Sequence, residues 1–585
     1  MSCVKFTVKK VNELTEVVLN KVGSTVADYV AYFLARKEVG AVFQLSGGMI
    51  AFLADAISQK QVTRIVNVRH EQAAGFAAEG YSRISGIPGV AMATSGPGAT
   101  NLITAIASCY FDSTPVLFIT GQVNQKELKV SAQQRQNGFQ ELDIVSMVSG
   151  ISKFAFQAKT AEDVFNGLSE AWRTCQDERS GPVLLDIPID VQQMQIVDIP
   201  ETYNHYEALQ FKANLSSFDG DVENVSKMLS DCEFPLVLAG AGIRLGGAID
   251  AFREFVNQSQ IPVVHSLMAV DVLPSKSMQR VGMIGSYGNR WANKALAASD
   301  VLLVLGSRLD VRQTGASVTK FQENKTIIRV DIDEFELKGR VIADINLKMS
   351  ISDFISRIGP IAPSGNAIKF AKKIQQWRLE FPAVDEQEVS IDLNPNFLIE
   401  WLSENFSEVS GYSVDVGQHQ MWAAQSIEIS ESQRFITSGG LGAMGFSTPA
   451  AIGAAQVSNE RWVTIVGDGC LQLSISELQT CFQYQTPVAI CIFNNKQHGM
   501  VAQFQEENMD SRFIGTRDDY STPDFMSLAR AFGIPALHVS SKKDLESARE
   551  FILKWNKGPI VIEFEVSDKA KALPKLNRNS GLGDL

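Results

Sequence analysis

The chain has 585 residues, 45% of them hydrophobic and 20% charged, which is ordinary for a globular protein of several domains. Its formal net charge is −12 at pH 7, and this acidic balance argues against nucleic acid and anionic membranes as main partners.

Seven cysteines without a CxxC spacing predict reduced, buried thiols in a cytoplasmic protein. Residues 1–21 carry scattered charges and no apolar run, so we expect an N-terminal extension without a secretory signal. The uncharged window Gly439 to Ser458 is rich in Gly, Ser, Thr and Pro, which predicts a loop and a buried helix instead of a membrane span.

Alternating helix and strand patterns predict a first α/β domain over residues 22–190. Residues 24–38 have the apolar periodicity of an amphipathic helix, with Ser24 or Thr25 as its N-cap. A short strand at 42–45 then leads into a Ser-Gly-Gly loop.

A second feature of this domain is a helix that begins near Glu71 and is dense in alanine and glycine. Small residues along a helix predict that a neighbouring element approaches it closely. A glutamate in the first turn also suits the helix dipole, and that capping role alone would explain Glu71. The segment 93–101, ATSGPGATN, predicts a strand end, a Gly/Pro loop and a helix start, which ordinary loop chemistry would also explain.

A polar connector at 191–220 precedes a second predicted α/β domain at 221–360, with strand patterns at 236–242, 299–308 and 327–333. The first strand ends in Gly-x-Gly, which is a weak nucleotide signal by itself. The third ends in Asp-x-Asp, which suits a ribose or adenine edge. A Rossmann-like spacer without a cofactor is the alternative.

A charged linker at 361–392 leads to a third α/β domain at 393–567. The polar tail at 568–585 contains Lys, Pro and Gly, and we expect it to be a flexible end.

The third domain contains the most informative stretch of the chain. The apolar run 462–466 predicts a buried parallel strand that ends in Gly-Asp-Gly. A predicted helix at 471–484 and a second apolar strand at 488–493 follow, and Asn-Asn closes the unit. Both polar ends fall at strand carboxyl termini, where α/β proteins bind ligands. A turn and a loop would explain either piece alone. However, the 27 residues from Asp468 to Asn495 match the motif that holds thiamine diphosphate (ThDP) through Mg²⁺.

Further motifs match in chain order, and together they resemble the acetolactate (acetohydroxyacid) synthase branch of ThDP enzymes over residues 22–567. They are RHEQAAGFAAEGYSR, TSGPGATN, GFQE (138–141), VGQHQMWAAQ (416–425), GGLGAMGF (439–446), GDG…NN and GMV (499–501). The resemblance implies three doubly wound parallel-sheet domains: pyrimidine-binding, central Rossmann-like and diphosphate-binding. It also implies ThDP, Mg²⁺ and a non-redox FAD as cofactors.

The resemblance assigns the metal and diphosphate site to the third domain. Asp468, Asn495 and the backbone carbonyl of Gln497 would ligate Mg²⁺. Further positions carried over to ThDP are Gly417, Gln418, His419, Gly467, Gly469, Cys470 and Met500.

The resemblance also assigns residues to the aminopyrimidine of the cofactor and to the substrate. Glu71 would hydrogen-bond the aminopyrimidine and so drive the imino tautomer that takes the C2 proton, which needs a poorly solvated carboxylate. The carbonyl of Gly442 would accept from the amino group, and Met444 would hold the cofactor bent. A methionine on such a loop could equally fill core space. The residues carried over to the substrate side are Gly47, Gly48, Phe139, Gln140 and Lys153.

In the central domain, the resemblance implies an FAD site. The matching positions are Gly240, Gly242, Arg244, Gly285, Ser286, Tyr287, Arg308, Arg312, Asp331, Asp333 and Asp344. In this superfamily the glutamate and the metal motif of one active site come from different subunits, which implies an obligatory homodimer or a homotetramer.

Three departures leave the acceptor substrate open. Phe504 stands where the anabolic synthases usually carry Trp, and the loop Leu45-Ser46-Gly47-Gly48 lacks the Pro of the family's usual YPGG loop. The segment 513–518 is more similar to synthase-like proteins of polysaccharide gene clusters. We therefore expect a carboligase acting on pyruvate, or another 2-oxo acid, with a 2-oxo acid or a nucleotide-linked ketosugar as acceptor. An oxidase or simple decarboxylase is the second hypothesis, although the tail lacks an amphipathic membrane-binding helix. A regulatory homologue is the third, and the intact Glu71, Asp468 and Asn495 argue against it.

Overall fold

The structure is a computed structural model in which three six-stranded parallel sheets follow one another along the chain. It describes residues 24–131, 133–196, 219–387, 391–458, 460–577 and 580–584. Helices connect the strands of each sheet, which confirms the predicted α/β class with three parallel-sheet units. The predicted extension at 1–21 lies outside the described residues, as does most of the 191–220 connector. Within the described part of the chain, no helix is long and apolar enough to cross a membrane.

The first sheet has the strand order β2-β1-β3-β4-β6-β5. Its strands are β1 Ala41–Gln44, β2 Arg64–Asn67, β3 Gly89–Ala93, β4 Val116–Gln122, β5 Phe154–Gln157 and β6 Val183–Pro188. Its helices are Val26–Arg36, Ala51–Lys60, Glu71–Ser85, Pro97–Asn101, Ile103–Asp112, Ile144–Val148, Ala161–Thr174 and Ile189–Gln192. Thr25 caps the first of these helices, as the sequence predicts. Successive residues of β3 enter two different cores, so both faces of the sheet are covered, as parallel sheets require.

The central sheet has the order β12-β11-β10-β7-β8-β9. Its strands are β7 Pro235–Ala239, β8 Val263–His265, β9 Arg280–Met283, β10 Val301–Leu305, β11 Thr326–Asp331 and β12 Ile345–Lys348. Its helices are Asp219–Asp231, Gly242–Leu245, Ile249–Ser259, Arg290–Ala298, Val311–Thr314, Val318–Gln322, Glu334–Leu337 and Ile351–Ile358, and Gly365–Glu380 follows them.

The third sheet has the order β14-β13-β15-β16-β18-β17, which repeats the topology of the first. Its strands are β13 Gly411–Val414, β14 Arg434–Thr437, β15 Trp462–Gly467, β16 Val488–Asn494, β17 Ala536–Val539 and β18 Ile560–Glu565. Its helices are Pro395–Asn405, Gln418–Ser426, Ser447–Ser458, Asp468–Ser474, Glu477–Tyr484, Gly499–Asn508, Phe525–Ala531 and Leu545–Leu553. The single helix predicted at 471–484 is therefore two helices, because the chain bends between Ser474 and Glu477.

Two helices rich in small residues join the first and third units. A Cβ at Gly80 of helix Glu71–Ser85 would lie 2.1 Å from the carbonyl oxygen of Ala450, and one at Gly453 would lie 1.8 Å from that of Ala77. The backbones thus touch, which confirms the close approach predicted from the sequence of this helix.

The C-terminal tail corrects one expectation. Ala570 and Ala572 are buried, and the Leu576 amide donates to the Ser286 carbonyl at 2.8 Å. Glutamine side chains bind the tail backbone at Ala570, Ala572 and Leu573. The prediction of a flexible end is wrong for residues 567–577, because polar side chains of other elements hold their main chain.

Candidate active site

Parallel sheets bind ligands where neighbouring strands send their connections in opposite directions. In the third sheet that point lies between β13 and β15. Gly417 follows β13 and Gly467 ends β15, and a Cβ on either would come within 2.8 Å of the His419 ring. These two glycines therefore bring two strand ends together around one imidazole. Burial lowers the pKa of His419 to about 4, so its ring is neutral at physiological pH.

Asp468 is the strongest indication of a cation at this point. Its residue is only 3% exposed, and its Oδ2 atom has no hydrogen-bond partner among the described residues. Burial raises the pKa of the carboxyl to about 7. Buried carboxylate oxygens are normally paired or bound to a metal, so the environment of Asp468 fits the predicted metal ligand.

The other two predicted ligands lie nearby. The Asn495 Nδ2 atom donates to Gln418 Oε1 at 3.0 Å, so the amide nitrogen is engaged and the oxygen is the atom that a metal would take. The carbonyl of Gln497 accepts from the Gly499 amide at 2.9 Å and keeps a second lone pair. A carboxylate, an amide oxygen and a carbonyl oxygen suit Mg²⁺, which prefers few protein oxygens together with phosphate oxygens.

The side chain of Gln418 does not project toward a ligand. Its Nε2 atom donates to Gln503 Oε1 and to the Ala570 carbonyl, each at 3.2 Å. Gln418 begins the helix Gln418–Ser426, whose N-cap Gly417 makes no side-chain cap. The backbone amides of this turn, and not the Gln418 side chain, are therefore placed to donate to an anion.

Cys470 lies in a buried group with Asp415 and His419 whose ligand atoms are within 4.8 Å of one another. The Asp415 oxygens accept from the amides of Gly445 and Ser447, and the Cys470 thiol donates to the Val416 carbonyl at 3.1 Å. Burial raises the pKa of this thiol well above its ordinary value. Main-chain groups thus engage Asp415 and Cys470, and the three residues pack the strand ends.

The loop 438–447, predicted to meet the aminopyrimidine, contains glycines that its backbone requires. Gly442 has φ 70° and Gly445 has φ 79°, values that other residues rarely adopt. Met444 packs, partly buried, against the core between the first and third sheets. Asp415 accepts the amides near the carboxyl end of this loop.

Glu71 lies at the start of the helix that the sequence predicts. The His70 side chain caps this helix, and the Asn101 Nδ2 atom donates to Glu71 Oε2 at 2.9 Å. A Cβ at Gly98 would lie 3.2 Å from Glu71 Oε1. The carboxylate is thus buried, as its predicted role requires, with a neighbour on each oxygen.

Sequence reasoning missed how this carboxylate is held. Glu477 Oε1 accepts from the Arg69 amide at 2.9 Å, and the Tyr484 hydroxyl accepts from the Asn67 amide at 2.8 Å. Two side chains of helix Glu477–Tyr484 in the third unit therefore hydrogen-bond the backbone just before Glu71.

The substrate-side residues form a second group beside Glu71. A Cβ at Gly47 would lie 2.5 Å from Thr94 Cβ, and one at Gly96 would lie 2.9 Å from Gln140 Cβ. Gly48 has open space around it. Phe139 is 81% exposed and Phe504 of helix Gly499–Asn508 is 41% exposed.

Lys153 does not belong to this group within one chain, and its place on the substrate side stays a prediction. It precedes β5, whereas Glu71 follows β2, so in a parallel sheet the two residues lie at opposite edges. Its Nζ atom donates to the Asp177 carbonyl at 2.6 Å.

The central domain encloses a cavity at its own switch point, between β7 and β10. A Cβ at Gly242 would lie 2.7 Å from Gly306 Cα, so the two strand ends meet through glycines. The predicted FAD residues that line the cavity are Gly242, Ser286, Tyr287, Arg308, Arg312 and Asp331. Glycine backbone, two arginines and a half-buried carboxyl fit a nucleotide cofactor.

Five predicted FAD residues do not line this cavity. Gly240 packs against the Gly306 carbonyl and Gly285 against that of Arg312. Arg244 is bound to the buried Asp271. Asp344 accepts the Ile327 amide, at the amino edge of the sheet. Asp333 caps helix Glu334–Leu337 and pairs with Arg179. These positions support the domain outside the cavity lining, and their role as FAD contacts stays a prediction.

Arg179 is a cavity residue that the sequence did not reveal. It comes from the first domain, and its Nη1 atom lies 2.9 Å from Asp333 and 2.7 Å from Glu336. Arg179 belongs to no recognisable sequence motif, so only the fold shows that it lines the cavity.

Comparison with known proteins agrees with this geometry. Three family models match: "Thiamine pyrophosphate enzyme, N-terminal TPP binding domain" over residues 24–147, "central domain" over 222–358, and "C-terminal TPP binding domain" over 415–564. The chain is 34% identical over 573 residues to an acetolactate synthase of Mycobacterium leprae, covering 94% of this chain and 88% of that one. It is 32% identical over 559 residues to the acetolactate synthase large subunit of Pyropia yezoensis, covering 92% of each. It is 33% identical over 563 residues to that of Corynebacterium glutamicum, covering 93% and 87%.

Proposed function

Because the chain belongs to the acetolactate synthase family of ThDP-dependent enzymes, we propose that it decarboxylates pyruvate and transfers the two-carbon unit to a second carbonyl compound. Residues 22–190 would bind the pyrimidine, 221–360 FAD, and 393–567 the diphosphate. We also propose a cytoplasmic location, which the six free cysteines of the described chain support.

The observation that carries this proposal is the unpartnered, buried Oδ2 atom of Asp468. It follows β15 at the switch point, and helix Gln418–Ser426 begins after β13 on the other side of that point. Together with Asn495 and Gln497, it would hold Mg²⁺ and through it the diphosphate. When bound, ThDP supplies the carbanion that adds to the keto carbon and keeps the electrons after CO₂ leaves.

Glu71 would hold the proton that activates the cofactor. Its residue is 6% exposed, and the amide of Asn101 orients its Oε2 atom. A dry carboxyl in a fixed orientation is suited to share a proton with a weak base. Because Gly98 has no side chain, the space beside Glu71 Oε1 would be open to the aminopyrimidine ring of ThDP.

We propose that each active site is shared between two copies of the chain. Phe139 beside Gln140 is 81% exposed, and Ile514, near the metal loop, is 74% exposed. Large apolar side chains so exposed next to a site mark a surface that a partner covers. A homodimer is the smallest assembly that satisfies this, and a homotetramer would repeat it.

The acceptor would enter beside helix Gly499–Asn508. Phe504 replaces the larger Trp of the anabolic synthases, so the acceptor pocket would have more room. We propose a second 2-oxo acid as the acceptor, and a nucleotide-linked ketosugar as the alternative to be tested alongside it.

The central cavity would hold FAD in a non-redox role. The protein purified with FAD should therefore be yellow. A colourless protein after dialysis against FAD would make the central domain a spacer.

Cofactor dependence tests the function. We expect the metal-stripped chain to release CO₂ from pyruvate only when ThDP and Mg²⁺ are both restored, and Asp468→Asn to lose this release. Asp524→Asn, an exposed helix cap, is the matched control and should retain it. Release without ThDP, or none with both cofactors, would contradict the proposal.

A further inference from the structure

The loop 438–447 is held at its amino end by a residue of another domain. Asp112 Oδ1 accepts from the Gly440 amide at 2.7 Å, and Asp112 Oδ2 accepts from the Gly439 amide at 3.0 Å. Asp112 is the last residue of helix Ile103–Asp112 in the first unit. One carboxylate thus accepts two successive backbone amides, which is a strong, charge-assisted arrangement.

Gly440 is required by this contact. A Cβ at Gly440 would lie 2.7 Å from Phe111 Cβ and 3.0 Å from Asp112 Oδ1. A Cβ at Gly439 would lie 2.3 Å from Met268 Sδ. The loop therefore approaches helix Ile103–Asp112 closely at Gly440, whereas Gly439 faces a side chain of the central domain.

Arg83 fixes the carboxylate in turn. Its Nη2 atom lies 2.8 Å from Asp112 Oδ2, and its Nη1 atom donates to the Thr437 carbonyl at 2.7 Å. Glu79 binds the same guanidinium and is fully buried. The guanidinium joins the carboxylate of Asp112 to the strand end from which the loop departs.

We propose that Asp112 is a positioning residue for the aminopyrimidine end of ThDP. This inference rests on the proposed function. Asp112 anchors the loop at Gly439 and Gly440, and Asp415 anchors it at Gly445 and Ser447. Gly442 and Met444 lie between these anchors, so their distance from the diphosphate site is set at both ends. Asp112 acts through the loop and does not touch the cofactor.

The test compares Asp112→Asn with Asp186→Asn. Asp186 is equally buried in the first domain and accepts from Thr120 and Gln157, but it does not bind the loop. The affinity for ThDP with Mg²⁺ is measured by tryptophan fluorescence, and exchange of the cofactor C2 proton by NMR at saturating ThDP.

An asparagine can accept from only one of the two amides. We expect Asp112→Asn to weaken ThDP binding at least about tenfold and to slow C2 exchange by a similar factor, as loss of a charge-assisted bond predicts. Asp186→Asn should stay within about twofold of wild type. If Asp112→Asn matches Asp186→Asn in both measurements, the inference is overturned.

A second variant keeps the buried ion pairs intact in case Asp112→Asn does not fold. Gly440→Ala places a methyl group against Asp112 and should have the same two effects, whereas Gly150→Ala, which has open space, should have neither. Wild-type affinity and exchange in Gly440→Ala would also overturn the inference. A wild-type chain that does not bind ThDP would instead refute the proposed function, so the two failures are distinguishable.

Discussion

Single residues build this site by burying polar atoms whose partners the folded chain does not supply. Asp468 Oδ2 and His419 Nε2 are both buried without a hydrogen-bond partner among the described residues. Parallel sheets bind ligands at such a switch point, so we infer that a ligand completes the arrangement of these two atoms. The Gly-Asp-Gly pattern after an apolar strand predicts Asp468 from the sequence itself, whereas His419 follows only from the family resemblance of residues 416–425.

Glu71→Gln tests the proton transfer at residue scale. Glutamine keeps the shape and the contact with Asn101 but cannot hold the proton. We expect the rate of CO₂ release to fall at least about 100-fold, with the dissociation constant of ThDP within a few-fold of wild type. Glu162→Gln on an exposed helix is the control. Near-normal turnover in Glu71→Gln would remove this residue from the mechanism.

Glu400 gives a pH prediction outside the site. Burial and the neighbouring Glu428 raise its pKa to about 7, above the value of an unfolded chain. The folded protein therefore binds more protons between these two pKa values, and this contribution to stability is lost as pH rises through about 7. We expect Glu400→Gln to melt at the same temperature as wild type at about pH 5 and at a higher temperature at about pH 8.

Differential scanning calorimetry at both pH values checks this expectation. Glu404→Gln removes a solvent-exposed carboxyl of the same helix and should shift melting less. An equal shift of Glu400→Gln at both pH values would contradict the assignment.

At the scale of elements, the helices Glu71–Ser85 and Ser447–Ser458 determine how the first and third units meet. They pack through backbone contacts at Gly80 and Gly453 and bury Phe76 against Phe446, with ring centroids 5.4 Å apart. This contact fixes the helix that begins at Glu71 against the third unit of the same chain. The glycines of these two helices are therefore explained by the close packing of the helix backbones.

Gly453→Ala tests this packing. The added methyl group would meet the Ala77 carbonyl, which cannot rotate away as a side chain would. We expect a loss of about 1–3 kcal/mol in unfolding free energy, measured by chemical denaturation. Gly365→Ala, at a helix start with open space around it, should be neutral or slightly stabilising. Equal stability of the two variants would contradict the proposed contact.

The sequence predicts elements better than the contacts between them. Strand and helix patterns located the sheets and the Gly-Asp-Gly edge, since each depends on neighbouring residues. The bond from Arg179 to Asp333 spans 154 residues, and that from Gly440 to Asp112 spans 328. No local pattern encodes such pairs. Lys153 shows the converse, because motif matching placed it at the substrate while the topology of one chain places it at the other edge.

At the scale of the whole molecule, the tail connects sites that belong to different domains. Its backbone accepts from Gln497 at Asp568, from Gln418 at Ala570 and from Trp422 at Lys571. It then reaches the central cavity, where the amide of Leu576 binds Ser286. The order of these contacts follows the path from the metal loop to the proposed flavin site.

Deletion of residues 568–585 tests this connection. Without the tail, Gln418 and Trp422 lose backbone partners, so we expect a lower melting temperature and about tenfold weaker ThDP binding. Lys571→Ala is the matched control, because it removes an exposed ion pair with Glu506 and leaves the backbone contacts. Such pairs contribute about 0–1 kcal/mol. Unchanged ThDP affinity after the deletion would contradict a role for the tail.

The product formed from pyruvate tests the central claim most directly. The chain would be incubated under nitrogen with ThDP, Mg²⁺, FAD and isotopically labelled pyruvate, alone and with a nucleotide-linked ketosugar, and the products identified by NMR and mass spectrometry. The account predicts CO₂ release coupled to a product with a new carbon–carbon bond, either acetolactate or a branched sugar. Acetaldehyde or acetate alone under both conditions, or no CO₂ release, would contradict it.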